Sequence, residues 1–474
     1  MKKIYILTFI ISFVIAACEN PLEEEVFSDL GPSNFFNSAD DAEALLYAAY
    51  AASQVSGDRD YILLAELPSD ILIEREGGLR RTAQLIEDFT WDATHPYLSG
   101  MWDRHYQMIY RANVVLDNVP DIEMNENRKQ QILAEARFIR ALSYFYLYDF
   151  FGPTPLVLSS EVSIDDRPER ATREEFISFV ESEFQAVSEI LPATQDQYPR
   201  ATSGAALGFL TKFYLNNKMW QEAAETAQEV ISSNTYVLFD GENRTDLFAL
   251  ENERNSEFIF VRPHIPQPGF GNGYIAHAAP PNYQFQYPPK ENFAAQYKIL
   301  SSFINTFDPQ DERLGAFVFE YTNTFGEQVV LGEDDVRSFK YPEDPNCTGR
   351  DCGNDVSILR YADILLSRAE ALNEMDGPTQ EAIDLINQVR AVAGVPLLDL
   401  GGFSSKEALR EHILAERGWE FHTEELRRQD LIRHGKFIER AIERGKMAFD
   451  YHVLYPIPQS EIDRNPNLVQ NDGY

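Results

Sequence analysis

The sequence predicts a mostly α protein, with tetratricopeptide-like helix pairs packed in series and one long irregular excursion rich in loops. Apolar residues recur at helical spacing over most of the chain. Two stretches, 203–232 and 359–393, each break once, at Asn216-Asn217-Lys218 and at Asp376-Gly377-Pro378, as helix hairpins do. Between them the helical spacing is lost. Eleven aromatics and seven prolines fall within the fifty residues from Phe258 to Phe307, a density that regular helix does not accommodate.

The chain opens with Lys2 and Lys3 before an apolar stretch, 4–15. That is the length of a signal h-region and too short for a bilayer core of roughly 30 Å. Ala16-Ala17-Cys18 follows in the manner of a bacterial lipobox. Residues 1–17 are therefore expected to be a lipoprotein signal peptide and Cys18 the lipidated N-terminus; ordinary cleavage after Ala17 is the alternative. Several acyl chains anchor a protein stably where one is marginal. Residues 18–37 begin with the acidic run ENPLEEE and read as a tether. Residues 38–474 read as a single domain, a helical scaffold (38–234 and 356–474) carrying the excursion (about 235–355).

Within the scaffold, 38–52 begins with a Ser cap and two acids in the first turn. A helix over 102–119 follows, then one over 132–151 stopped by Gly152-Pro153. Thr172 with Glu175 three residues on forms a capping box opening 172–191. In the two hairpins, Leu210, Tyr214, Ala223, Ala227 and Val230, and then Ala369, Asn373, Ala382, Ile386 and Val389, take tetratricopeptide-like offsets. Residues 404–434 add more helix. Inside the excursion, 257–261 and 316–320 are expected as short strands. Trp102 and the tyrosines 144, 146 and 148 are expected in the core. Arg137, Arg140 and Arg360 are expected to pair with acids such as Glu135 or Glu370.

Lys plus Arg total 41 against 76 Asp plus Glu, a net charge of −35, which becomes −37 once Lys2 and Lys3 are removed. Such a balance excludes a nucleic-acid partner and adhesion to anionic headgroups. Three cysteines are too few for a disulfide scaffold, but Cys347 and Cys352 in CTGRDC are expected to form a local disulfide in an oxidising envelope compartment, with two free thiols as the alternative. GxSxG, HExxH, GxxxxGK and EF-hand patterns are missing, and the eight histidines show no metal-ligand spacing. No catalytic residue, metal or cofactor is expected. The cluster Asp344, Asp351, Asn354 and Asp355 reads as a polar turn, with a calcium site as the lesser alternative. A glycosidase stays formally open, since its mechanism needs two carboxylates about 5–9.5 Å apart, one with a raised pKa, and the chain has many acids.

Several motifs in order resemble the SusD/RagB family of surface glycan-binding lipoproteins. Residues 134–157 resemble its helix with a GxxPLV exit, 200–220 its RAT-x-GAA helix, and 359–374 its RYAdxLLxxAEAxNE helix. Residues 387–394 (NQVRAVAG), 409–431 and the C-terminal 454–474 follow in the family's order. Glu425 stands where the family usually has Gly. The resemblance implies a right-handed superhelical scaffold and an outer-membrane, lipid-anchored protein exposed at the cell surface. It further implies capture of oligosaccharide or polysaccharide for a SusC-like TonB-dependent transporter, without catalysis. Peptide or glycopeptide cargo on the same fold, and a lipid-anchored glycosidase, are the alternatives.

Sugar rings offer apolar C–H faces to aromatics and hydroxyls to polar side chains. Ligand residues are therefore sought among loop aromatics and their polar neighbours. Asp70, Arg80, Trp91 and Tyr97 form one candidate group, and Tyr274, Asn282, Tyr283 and Tyr287 the other.

Overall fold

A computed structural model of the protein describes residues 37–53, 58–74, 77–163, 165–287, 291–294 and 296–474. The predicted signal peptide, Cys18 and the tether up to residue 36 lie outside the described residues. The first elements are α1 (Ala39–Ser53), α2 (Asp58–Ala65), β1 (Leu72–Ile73), α3 (Arg80–Glu87), α4 (Pro96–Asn118), α5 (Glu126–Phe151), α6 (Arg173–Ser188), α7 (Ser203–Asn216) and α8 (Trp220–Ser232). The caps explain several starts. Ser38 Oγ accepts from the Asp41 amide at 3.2 Å while Asp41 accepts from the Ser38 amide at 2.9 Å. Thr172 and Glu175 close the predicted capping box. Pro96 occupies the first turn of α4, where its missing N–H costs nothing.

The excursion contains β2 (Phe258–Arg262), α9 (Tyr274–Ala278), β3 (Lys298–Ile299), α10 (Ser301–Ile304), β4 (Phe317–Val318), β5 (Glu320–Thr322), β6 (Gln328–Val330) and β7 (Arg337–Ser338). The chain ends with β8 (Val356–Arg360), α11 (Tyr361–Asp376), α12 (Gln380–Val392), α13 (Lys406–Phe421), α14 (Arg427–Arg433), α15 (Phe437–Glu443) and α16 (Gln459–Arg464). All the sheets are two-stranded: β1 pairs with β3, β2 with β8, β4 with β7 and β5 with β6, each antiparallel. Both predicted hairpins form, as α7–α8 and α11–α12, and α8 packs on α11, so the pairs stack in series. Ala223 and Ala382 are buried at these helix contacts. Trp102 is buried against Tyr106 and Phe151, and Tyr144 against Phe176 and Phe179.

Several boundaries differ from the sequence reading: α4 and α5 each begin six residues earlier than expected, at Pro96 and Glu126, and two further differences change the elements themselves. Leu359 and Arg360 belong to β8, opposite Phe260 and Phe258. The run Val-Ser-Ile-Leu-Arg is buried at every position, and helical spacing does not distinguish a short, fully buried strand from the helix that follows it. The 404–434 helix is broken after Phe421, where Thr423 (φ 61°) and Glu425 (φ 65°) adopt left-handed backbone. Left-handed backbone is the conformation glycine adopts most readily, which fits the Gly of the resembled pattern at the Glu425 position.

The ion-pair partners also differ. Arg137 and Arg140 both reach Glu183 on the neighbouring α6, at 2.7 and 2.9 Å. Glu135 is two residues from Arg137, on another face of α5, and meets Arg128 and Arg200 instead. Glu370 pairs with Arg433. Arg360 enters a buried network that seats the excursion on the scaffold. Excursion residues Arg244, Glu257, Asp311, Arg313 and Lys340 meet scaffold residues Arg360, Arg390, Glu416, Glu420 and Glu424. The excursion brings three cations and two anions, the scaffold two cations and three anions, so the charges balance only when the two are docked. Buried pairs add little net stability over apolar packing, but they penalise any arrangement that separates them.

Candidate functional site

Helix α2 and the loops of the excursion meet around a cavity of about 150 Å³. From α2 come Arg59 and Ile62, one turn apart and so on one face. From the excursion come the loop Gly269–Gly273, then Tyr274 and His277 of α9, and Tyr297. The His277 ring stacks on Tyr297 at 5.1 Å and meets Phe293 at 4.9 Å. Burial holds its pKa down to about 4 against the hydrogen bond to Gln296, and the Arg59 and Arg350 charges push the same way. His277 is therefore neutral at physiological pH. Its Nδ1–H donates to Gln296 Oε1, which leaves Nε2 as an acceptor on the Gly273 side.

The opposite wall is a clasp. Cys347 and Cys352 are disulfide-bonded, and Thr348 and Asp351 exchange backbone hydrogen bonds of 3.0 Å across the turn between them. Asn272 and Cys352 exchange two more, at 2.7 and 3.2 Å. Asp351 Oδ1 accepts from the Gly269 and Gly271 amides at 3.1 and 3.4 Å. A Cβ at Gly271 would lie 2.3 Å from the Asp351 backbone, so only glycine lets these strands of chain close. The clasp holds Arg350 at its exposed apex.

The acidic cluster beside the clasp is engaged in the same way. Asp344 accepts from Asn346 and Gly353 amides, and Asp355 from the His264 amide and the Tyr198 hydroxyl. Among the described residues no group of three or more His, Cys, Asp or Glu is arranged to hold a metal ion.

Of the eight nominated residues, Tyr274 lines the cavity and Tyr97 lies behind it. Tyr274 packs on Tyr297 and Tyr341. Tyr97 lies beneath Arg59, whose guanidinium sits 5.4 Å from its ring centroid, and its hydroxyl shares a 3.0 Å hydrogen bond with Thr82. Asn282, Tyr283 and Tyr287 lie on a separate surface beside the β5–β6 hairpin. Asn282 is exposed, with its carbonyl bonded to Thr324. Tyr283 is half-buried among Phe285, Tyr321 and Phe339, and Tyr287 is exposed. Arg80 is exposed at the start of α3.

The other two lie away from this cavity, each held by a distant part of the chain. Trp91 is 4% exposed. Its ring packs on Phe89, His452 and Tyr455, and its Nε1 donates to the Tyr474 hydroxyl at 2.8 Å. Asp70 is clamped by Arg427 at 2.7 Å and by Arg440. Burial would raise its carboxyl, but these guanidiniums hold it well below the carboxylate range. Both residues tie the early loop to the C-terminal helices. Arg59, His277, Tyr297 and Arg350 were missed from sequence. The one available signal was the Gly-rich loop together with the Cys pair, since Arg59 carries no motif.

Comparison with known proteins agrees with this architecture. The SusD family profile matches residues 337–474, and a second, described as starch-binding associating with outer membrane, matches 40–215. The chain belongs to the SusD/RagB family. A SusD-like protein of Formosa agariphila is 28% identical, with 97% of this chain and 96% of that protein aligned. The starch-binding protein SusD of Bacteroides thetaiotaomicron is 24% identical over 86% of this chain and 84% of that one. A solved laminarin-binding SusD-like protein shares the fold with a TM-score of 0.79 at 25% identity, covering 93% of this chain and 100% of that one. Most of the cavity wall in this SusD-family protein, from Gly269 to Tyr297, falls between the two matched segments.

Proposed function

We propose that this SusD-family protein captures oligosaccharide or polysaccharide at the cell surface and delivers it, chemically unchanged, to a SusC-like TonB-dependent transporter. The cavity carries the reading: an aromatic floor of His277, Tyr297 and Tyr274 faces polar walls supplied by Arg59 and Arg350. Neutral His277 Nε2 and the guanidiniums suit hydroxyls, and the aromatic edges beside them suit the apolar C–H groups of a sugar. Relatives named for starch and laminarin binding support the ligand class. We place the mature N-terminus at a lipidated Cys18 in the outer membrane, with 38–474 acting as one domain.

Isothermal titration of the mature protein against a polysaccharide panel tests the binding. Binding of peptides with no glycan bound would favour peptide cargo, and sugar release by the purified protein would favour a glycosidase. Co-purification with the transporter encoded alongside it, lost on Cys18→Ala, tests delivery and anchoring together.

A further inference from the structure

Lining the cavity are two guanidiniums in a chain whose net charge is −35. They come from separate elements, Arg59 from α2 and Arg350 from the disulfide clasp. The cavity's acid, Asp351, is turned into the clasp, with Oδ1 on the Gly269 and Gly271 amides. Arg59 rests on Asp60 at 2.9 Å, but Asp60 also faces Arg104 at 3.5 Å, so one carboxylate serves two guanidiniums. Arg350 has no ion-pair partner among the described residues. Among the residues that line the cavity, Arg59 and Arg350 outnumber Asp351 by one charge, with Glu291 beside the clasp at Gly349 outside the lining.

A binder of neutral sugar has no need of that excess, and the long-range field of the protein repels anions. Arg59 is also pre-placed against the Tyr97 ring, and the closed turn fixes the backbone from which Arg350 projects, so less freedom remains to be lost on binding.

We propose that the glycan taken by this site carries an anionic group, a uronic carboxylate or a sulfate ester, held between Arg59 and Arg350. Both groups present coplanar or near-coplanar oxygens that a guanidinium fork grips with two charge-assisted hydrogen bonds. The ring bearing the group then lies at the cavity mouth, with a hydroxyl donating to His277 Nε2. The inference rests on the glycan-binding reading above.

Calorimetry of the mature protein against three oligosaccharide classes of matched length tests it: a neutral β-glucan, an oligouronate and a sulfated galactan, each at 50 and 200 mM salt. One anionic class should bind at least about tenfold tighter than the neutral one, with affinity falling as salt rises. Arg350→Gln should weaken that binding roughly tenfold to hundredfold, with an unchanged melting temperature because Arg350 is exposed. Arg350→Lys, which keeps the charge and loses the fork, should fall between. The uronate and sulfate arms decide which anion is read. Binding of the neutral glycan alone overturns the inference and leaves glycan capture standing, as does an Arg350→Gln variant with undiminished anionic affinity. Failure of all three classes overturns both.

Discussion

Glu420→Gln is the sharpest test of how the excursion is seated. Glu420 Oε1 accepts from Arg244 at 2.5 Å and from Arg360 at 2.8 Å, and Oε2 accepts from Arg313 at 3.1 Å. Burial alone would raise its carboxyl, but Arg244, Arg360 and Arg313 outweigh that and hold it well below the ordinary range. Glutamine keeps the volume but removes the charge, and its amide turns an N–H₂ group toward guanidiniums. Breaking one partner out of a buried ion pair costs about 3–5 kcal/mol, against a typical total stability of about 5–15 kcal/mol. Unfolding entropy of about 2.1 cal/mol/K per residue gives roughly 0.9 kcal/mol/K for a body of this length, so the melting temperature should fall by about 4 °C. Differential scanning calorimetry beside Glu411→Gln reads this directly. Glu411 pairs with Arg440 in an exposed bridge, worth under about 1 kcal/mol. Adding Arg244→Leu to Glu420→Gln restores the charge balance and should recover part of the loss. If Glu420→Gln and Glu411→Gln melt together, the network does not hold the excursion as argued.

Four further outcomes follow from the same geometry. Trp91→Ala should cost about 3–5 kcal/mol of stability and leave glycan affinity intact at a temperature where the variant is folded; lost affinity with unchanged melting would return Trp91 to the binding site. On the acid side, burial would raise Glu416, but Arg313, His412 and Arg390 bring it to about 2. A depressed carboxylate contributes fully above about pH 4.5 and is lost as pH falls toward 2, about 3 kcal/mol for Glu416 alone; a melting temperature flat from pH 5 to 3 would contradict this. Glu66 has the opposite sign: burial lifts it to about 8 against hydrogen bonds from Arg427 and Leu426, so its contribution is full below about pH 4.5 and lost as pH rises through 8. Glu66→Gln should therefore melt higher than the parent at pH 9, and an equal or lower melting point would refute the assignment. Replacing Cys347 and Cys352 by Ser removes a short-loop constraint worth about 2 kcal/mol and frees Arg350, so affinity for an Arg350-dependent glycan should fall; unchanged affinity would show that the clasp does not position Arg350.

Local order was legible because it is written in near neighbours. The Thr172–Glu175 box, the breaks at 216–218 and 376–378, the strand expected at 257–261 and found one residue later, and the Cys347–Cys352 pair each depend on residues a few positions apart. The aromatic-rich stretch also stood out, since its prolines and glycines forbid helix whatever packs on it. Its role as a cavity wall did not, because Arg59 and Arg350 look like any other surface arginines until the fold sets them across one opening.

The sequence by itself thus determined the helix pairs, the place of the excursion and, through ordered motifs, the family. Only the tertiary structure decided that Trp91 serves the Tyr474 hydroxyl 383 residues away and Asp70 the Arg427 guanidinium 357 away. It likewise decided that Arg360 closes a charge-balanced network rather than a pair with Glu370. Helical spacing is a property of the local chain, whereas a charge or an aromatic acquires its partner from whatever packing brings near it, and burial then determines whether it holds the scaffold together or stays free to meet a sugar.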